Sequence, residues 1–326
     1  MAGYTAKKME SENAKKIDKA FGRDNSFLEF NPGKCLLPPS HTLFAERILS
    51  FDVREDDIWL ISFPRTGSTW CQEMIWLLGN DLDFKSAQTL PQQIRAPLLE
   101  LSSLMFQHKD VLQKLFPFND TVEFVDKMKS PRFIKSHLPL DLLPTQLDKV
   151  KPKIICTMRN PKDMIISFYH YCRIFHDLSI PLEDFCDLFL DDSTPMGSVW
   201  SHYLGFWNKR HDENILVLKY EDMKKDSAGT IRQIAEHLGK NVTEKEIGDI
   251  KEFLSFSNMR ENKACNLEVF IDTWKGKNYY KRSGDHFIRK GIVGDWKNVM
   301  SEEMAEKFDK WIEENTRGTG LNFEEV

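Results

Sequence analysis

The sequence predicts an α/β fold, a central, mostly parallel sheet flanked by helices on both faces. Three observations carry the prediction. Apolar, strand-like runs recur at 58–63, 153–158 and 215–219, with a shorter one at 132–137. Helical stretches are expected at 68–78, 161–175, 223–239 and as a pair within 243–262. Polar and cationic residues gather just past each strand. Alternation of this kind builds parallel sheets, and such sheets bind ligands beyond the carboxyl ends of their strands. Residues Arg65 to Thr69, Lys135, His137, Arg159 and Tyr220 are therefore expected to converge.

Taken in order, residues 1–30 read as a polar, mobile or loosely docked leader, and 31–326 as the folded part. The first twenty residues are lysine-rich and lack the apolar centre of a secretory signal. No window reaches roughly 18 consecutive apolar residues, so no transmembrane anchor is expected. With 41% hydrophobic and 29% charged residues the chain has the composition of a globular protein with a sizeable core. The formal charge of −5 argues against a general nucleic-acid binder, so any anion site must be a local concentration of base. Cys35, Cys71, Cys156, Cys172, Cys186 and Cys265 form no C-x-x-C pair, and several lie in apolar segments. They read as reduced core residues of a cytoplasmic protein, with neither a disulfide frame nor a metal site.

The run Ile58-Trp-Leu-Ile-Ser-Phe63 is a buried strand, Pro64 and Gly67 force a tight turn, and a helix starts at Ser68. Successive backbone N–H groups in such a turn, together with the helix N-terminus, form a cradle for an anion. Arg65 adds a full charge at its mouth; Ser68 and Thr69 add hydroxyl donors. The loop is not a Walker A motif, since it has one glycine and no lysine before the hydroxyl pair. An ordinary strand–turn–helix would read the same way from this stretch alone.

Residues 85–130 mix Pro, Gln and aromatics without a clean period, as short helices and loops forming one wall of a pocket would. In Lys135-Ser136-His137 extended chain puts the cation and the imidazole on one side. Either they serve chemistry, or His137 hydrogen-bonds a backbone carbonyl at a strand end. Asn160 is a good N-cap and Pro161 a good first helical residue, which leaves Arg159 beside a helix N-terminus and Ser167 two turns in. That pair suits a phosphate, or Arg159 makes a surface ion pair. Near the other end, Arg289-Lys290-Gly291-Ile-Val-Gly294-Asp-Trp-Lys-Asn298 reads as a lid over an anion or as a basic surface loop.

In combination, Pro-Arg-Thr-Gly-Ser-Thr-Trp, Lys-Ser-His-Leu-Pro, Arg-Asn-Pro-Lys-Asp, Tyr-Glu-Asp-Met and Arg-Lys-Gly-x-x-Gly-Asp-Trp-Lys-Asn follow one another in this order. The chain thereby resembles the cytosolic sulfotransferases from about Leu43 to Phe323. The resemblance implies a single domain with the P-loop, nucleotide-kinase-like fold. It implies 3′-phosphoadenosine 5′-phosphosulfate (PAPS) as sulfuryl donor, adenosine 3′,5′-bisphosphate (PAP) as product, and a small lipophilic hydroxyl compound as acceptor.

By the same resemblance Arg65, Thr66, Gly67, Ser68 and Thr69 hold the 5′-phosphosulfate, and Trp70 stacks on adenine. Arg159, Ser167, Arg289, Lys290 and Gly291 hold the 3′-phosphate, with Tyr220, Phe256 and Met259 on the adenine side. His137 is the catalytic base, and Lys135 and Arg65 offset charge on the transferring group. No metal is implied. For the acceptor wall, Phe106 and Tyr171 are the chosen candidates among Phe106, Phe168, Tyr169, Tyr171 and Phe175.

The chain departs from the family at two places. Arg65 stands where the family usually has Lys, keeping charge and adding bidentate reach. The family's dimer motif, Lys-x-x-x-Thr-Val-x-x-x-Glu, corresponds to Lys297-Asn-Val-Met-Ser-Glu-Glu-Met-Ala-Glu306, with its ends kept and its apolar centre lost. Ser301-Glu302-Glu303 instead reads as a helix start, so a homodimer is left open and this segment is a weak carrier of it. Two other activities share the motifs: a net dehydratase of an allylic alcohol such as a retinoid, and a weakly catalytic nucleotide-binding protein. The retained Lys135 and His137 speak against the last.

Overall fold

The computed structural model describes residues 3–22 and 24–323. Met1, Ala2 and Arg23 of the expected leader, and residues 324–326, lie outside the described residues. Among the described residues seven strands form two sheets: β1 (Thr5–Lys8), β2 (Leu28–Asn31) and β3 (Cys35–Leu37) in one, and β4 (Ile58–Ser62), β5 (Phe133–Ser136), β6 (Lys153–Met158) and β7 (Ile215–Lys219) in the other. The larger sheet has the order β5-β4-β6-β7 and is parallel throughout.

Its strands are apolar because both faces are covered. Successive side chains on a strand point to opposite faces, and they enter two different cores. Trp59, Ile61, Ile154 and Cys156 join one, whereas Leu60, Ile155 and Leu218 join the other. The register pairs Leu60 with Lys135 on one side and with Ile155 on the other. The chain leaves β4 toward β5 and leaves β6 toward β7, so the connections diverge between β4 and β6, where a sheet of this kind opens its ligand crevice.

The helix after β4, α2 (Ser68–Gly79), and the helix after β6, α3 (Pro161–His176), match their expected limits to within a residue. The stretch 223–239 is two helices, Tyr220–Lys225 and Ser227–His237, because the Asp226 carboxylate caps the second by accepting the Gly229 N–H at 2.8 Å. Thr243 and Glu246 form a capping box that starts Glu244–Phe253, and Phe256–Glu261 follows it. Ser301 caps Glu302–Thr316 through the Met304 N–H, as its acidic first turn predicts.

The leader departs from the expectation of loose docking. Its helix α1 (Glu12–Phe21) carries lysines on the solvent side and buries Ile17, Ala20 and Phe21 in the main core. That i, i+3, i+4 stripe is short enough to be hidden by the surrounding charge. The Asp18 carboxylate accepts the N–H groups of Asn25 and Ser26 at 2.8 Å each, tying α1 to the strand that follows. β1 and β3 then pair antiparallel on either side of β2.

Candidate active site

Two cavities meet at the carboxyl ends of β4, β5 and β6. The first, of ≈ 290 Å³, is bounded by the loop after β4, the start of α3, Tyr220, Phe256 and the segment 287–291. It is strongly cationic: Arg65, Lys135, Arg159, Lys224, Lys251, Arg289 and Lys290 line it, and among the described residues no carboxylate does. The second, of ≈ 420 Å³, is mostly apolar and aromatic, with Leu98, Leu101, Phe168, Phe175, Phe270 and Trp274 among its walls. Thr69, Lys135, His137, Tyr171 and Phe287 line both.

The loop of the first cavity is built by two left-handed residues. Gly67 has φ +90°, and a Cβ there would lie 2.5 Å from Cδ2 of Tyr220, so only glycine fits. Arg65 has φ +72°, an uncommon conformation for a side-chain-bearing residue. Its Nε donates to Ser167 Oγ at 2.9 Å, its NH2 donates to the Phe287 carbonyl at 2.6 Å, and its guanidinium lies 4.8 Å from the Phe287 ring. Burial, and then the nearby guanidinium groups of Arg159 and Arg289, pull Arg65 down to about 10. Thr66 turns inward, donating to the Phe63 carbonyl or pairing with Thr157 Oγ1 at 2.8 Å.

Asn160 caps α3 through the Lys162 N–H at 2.9 Å, which fixes Arg159 just outside the helix. The Arg159 guanidinium lies 4.3 Å from the Tyr220 ring centroid and donates to the Ile292 carbonyl at 3.0 Å. Asp163 accepts the N–H groups of Gly294 (2.6 Å) and Trp296 (3.1 Å), so the first turn of α3 holds the basic segment over the cavity. Asp295, fully buried, takes Arg289 at 2.6 Å and Lys290 at 2.8 Å. The Nε atoms of Arg159 and Arg289 remain buried without a partner. Unmatched cationic donors around a cradle that a Cβ would fill are what a multiply charged anion fits.

At the wall between the cavities, the Ser62 carbonyl lies 2.6 Å from Nδ1 of His137. A carbonyl only accepts, so Nδ1 carries the proton and Nε2 is left as an acceptor. Burial, then Lys135, hold the imidazole well below its ordinary value, hence neutral. Burial also brings Lys135 down to about 8, against the pull of Glu100 and with the help of Arg65. A neutral imidazole beside a cation is an arrangement for taking a proton while offsetting developing negative charge.

Of the candidates drawn from the sequence, Arg65, Gly67, Ser68, Thr69, Trp70, Lys135, His137, Arg159, Ser167, Tyr171, Tyr220, Phe256, Met259, Arg289, Lys290 and Gly291 line the first cavity. Thr66 does not, because its side chain is spent inside the loop. Phe106 is a correction: it is 40% exposed, packs edge-on against Phe44 and lines neither cavity, while its neighbours Met105 and Gln107 face the second. An irregular turn gives no period by which to choose among adjacent residues. Phe168, Tyr171 and Phe175 line the second cavity; Tyr169 does not, and its hydroxyl donates to the Ile180 carbonyl.

Sequence reasoning missed Phe287, the wall made by Phe27, Leu36, Pro38, Phe270 and Trp274, and Glu100, which lines neither cavity but accepts the His137 N–H and the Ser136 hydroxyl. Glu100 had a legible signal, an acid set inside the run Pro97-Leu-Leu-Glu-Leu101. The others come from segments far apart in sequence.

The family model described as a sulfotransferase domain matches residues 55–320. The chain is 34% identical to the luciferin sulfotransferase of Photinus pyralis, over 97% of this chain and 88% of that protein. It is 33% identical to the amine sulfotransferase of Oryctolagus cuniculus, over 85% and 86%. Among solved structures, retinol dehydratase in a complex with retinol and PAP superposes with a TM-score of 0.88 at 27% identity, covering 98% of this chain and 99% of that one. A mouse sulfotransferase complexed with PAP gives 0.67 at 28% identity, over 88% and 94%.

Proposed function

The chain belongs to the sulfotransferase family as a PAPS-dependent enzyme, and we propose that it transfers the sulfuryl group to the hydroxyl of a small lipophilic acceptor. One observation carries this reading: His137 and Lys135 line both the cationic cavity and the apolar one. The cationic cavity then takes the donor nucleotide, with Arg159, Ser167, Arg289, Lys290 and Gly291 around the 3′-phosphate and the Arg65–Thr69 loop around the sulfuryl end. Trp70, Tyr220, Phe256 and Met259 flank the adenine. The apolar cavity takes the acceptor, a phenol, sterol or similar alcohol, beside Tyr171.

PAPS, when bound, supplies an activated sulfuryl group whose leaving group is PAP. The chain's own work is positioning, proton removal and charge stabilisation. Nε2 of His137 accepts the acceptor's hydroxyl proton while Nδ1–H stays with the Ser62 carbonyl, so the base is neutral and oriented before the reaction. Lys135, Arg65 and the N–H groups at the start of α2 face the negative charge that develops during in-line transfer, much as in phosphoryl transfer. Protein cations fill the role a metal plays elsewhere. A cytoplasmic location is part of the same reading; among the described residues no helix is long and apolar enough to cross a membrane.

A second reading is favoured by the superposition on retinol dehydratase, which extends over 98% of this chain and includes its N-terminal part. In that reading the sulfate ester of an allylic alcohol is eliminated and the net product is dehydrated. One experiment separates the two: incubation with labelled PAPS and a panel of phenols, sterols, retinoids and amines, with products identified by mass spectrometry. A stable sulfate ester supports transfer, and PAPS consumption with a dehydrated product supports elimination. Tight PAP binding with no consumption of PAPS on any acceptor would overturn both in favour of a nucleotide-binding role.

A further inference from the structure

We propose that Glu100 is a positioning residue for the transfer step, a buried carboxylate that clamps the Ser136–His137 peptide and so aims Lys135 and His137 into the shared wall. This rests on the reading of Lys135 and His137 as the reacting pair. Glu100 is 1% exposed. Its Oε1 accepts the His137 backbone N–H at 2.7 Å and its Oε2 accepts the Ser136 hydroxyl at 2.9 Å. Both oxygens are thus spent on the two residues that follow Lys135.

The backbone leading into Glu100 completes the grip. Lys135 donates its N–H to the Pro97 carbonyl at 2.9 Å, and its own carbonyl accepts the Leu99 N–H at 2.9 Å. Residues 97–99 therefore run beside the end of β5, and the Glu100 side chain takes hold where they turn away. His137 is held at the opposite end by the Ser62 carbonyl. Its imidazole is fixed at both the backbone and Nδ1, which leaves Nε2 a single direction. A buried carboxylate is costly unless it is paired and hydrogen-bonded, and a leucine-flanked position gives it no solvent. Packing alone would be served better by an apolar residue.

The charge has a second consequence. Lys135 is faced by Glu100, Arg65 and Cys71, and by His137 two residues on; Glu100 is faced in addition by Tyr171 and Cys35, and His137 by Arg65 and His202. Glu100 is the one carboxylate in that set. Burial pushes it up to about 7 despite the bonds from His137 and Ser136, and its negative form supports the ammonium of Lys135.

The test uses Glu100→Gln, Glu100→Asp and Ser136→Ala in the full chain, with His137→Ala alongside. In Glu100→Gln, kcat should fall about 10- to 100-fold, the cost of a misaimed base. PAP affinity by calorimetry should stay within about threefold, since the nucleotide loop is untouched. The high-pH limb of kcat should move to lower pH, because loss of the carboxylate charge eases deprotonation of Lys135. Glu100→Asp keeps the charge and shortens the reach, so kcat should fall without that limb moving. His137 imidazole NMR signals of the nucleotide-free protein should shift in both. Should Glu100→Gln fail to fold, Ser136→Ala removes one of the two clamp bonds and should lower kcat alone. Unchanged kcat, or kcat, PAP affinity and Tm falling together, overturns the proposal as mere structural support. Full turnover by His137→Ala would instead overturn the reading it rests on.

Discussion

Nε of Arg65 donates to Oγ of Ser167 at 2.9 Å, joining the loop after β4 to the second turn of α3. A second donor of the same guanidinium reaches the Phe287 carbonyl at 2.6 Å. One side chain therefore ties together the loop, the helix and the basic segment. A lysine at this position keeps the charge as a compact ammonium and lacks the rigid planar fork that spans both partners. Arg65→Lys should keep kcat within about tenfold of the parent while weakening PAP several-fold, a split that steady-state kinetics with calorimetry will expose. Loss of kcat with PAP affinity intact would show that the transfer step needs the guanidinium fork and not its charge alone.

His137→Ala should lower kcat by about 10²-fold or more and leave PAP affinity within a few-fold. The pH profile follows from the two shifts. His137 is held well below the ordinary 6.5, so the imidazole stays deprotonated and contributes no acid limb there; any fall in kcat below about pH 7 would come from protonation of Glu100. Lys135 is at about 8, so kcat should decline as pH rises through that value and the ammonium is lost. For stability the sign is opposite. The folded value of Lys135 lies below its free value of 10.5, so its burial costs stability below pH about 8, a cost relieved as pH rises toward 10.5.

Arg159→Ala should weaken PAP far more than adenosine 5′-monophosphate, by about 10²-fold against a few-fold, if its unmatched Nε serves the 3′-phosphate. Equal weakening of the two nucleotides in calorimetry would remove that assignment.

Gly291 has φ +66°, and a Cβ there would come within 2.6 Å of Cδ2 of Phe256. Gly291→Ala should therefore cost about 1 kcal/mol in backbone strain and displace the Phe256 ring. PAP affinity should drop about tenfold or more, with a small change in Tm. Unaltered PAP affinity in this variant would detach Phe256 from the nucleotide.

Phe270→Ala should raise the KM of a lipophilic acceptor, because its ring is a buried wall of the apolar cavity. Phe106→Ala should leave that KM unchanged. A reversed pattern in acceptor kinetics would move the acceptor to another surface.

The sheet and the lining of the cationic cavity were legible because each depends on local chemistry. Ile58–Ser62 and Lys153–Met158 are apolar on both faces, and Asn160-Pro161 spells a helix start. Residues just past strand ends must then converge. Of the apolar cavity's aromatic walls only Tyr171, Phe168 and Phe175 were legible; its other walls include Phe27, Met105 and Trp274, whose meeting depends on tertiary packing. α1 was obscured for another reason: three buried residues among lysines carry too little apolar signal to reveal docking.

Phe287 has a consequence for how acceptors are sought. Its carbonyl is held by Arg65, its ring lies over that guanidinium, and it lines both cavities. Any rearrangement of Arg65 toward a bound anion alters the contour that the lipophilic molecule meets. On the proposed reading such a shift would couple the two substrates, and by reciprocity PAP affinity measured with and without acceptor would differ. Comparing acceptor candidates with and without saturating PAP would expose that coupling directly.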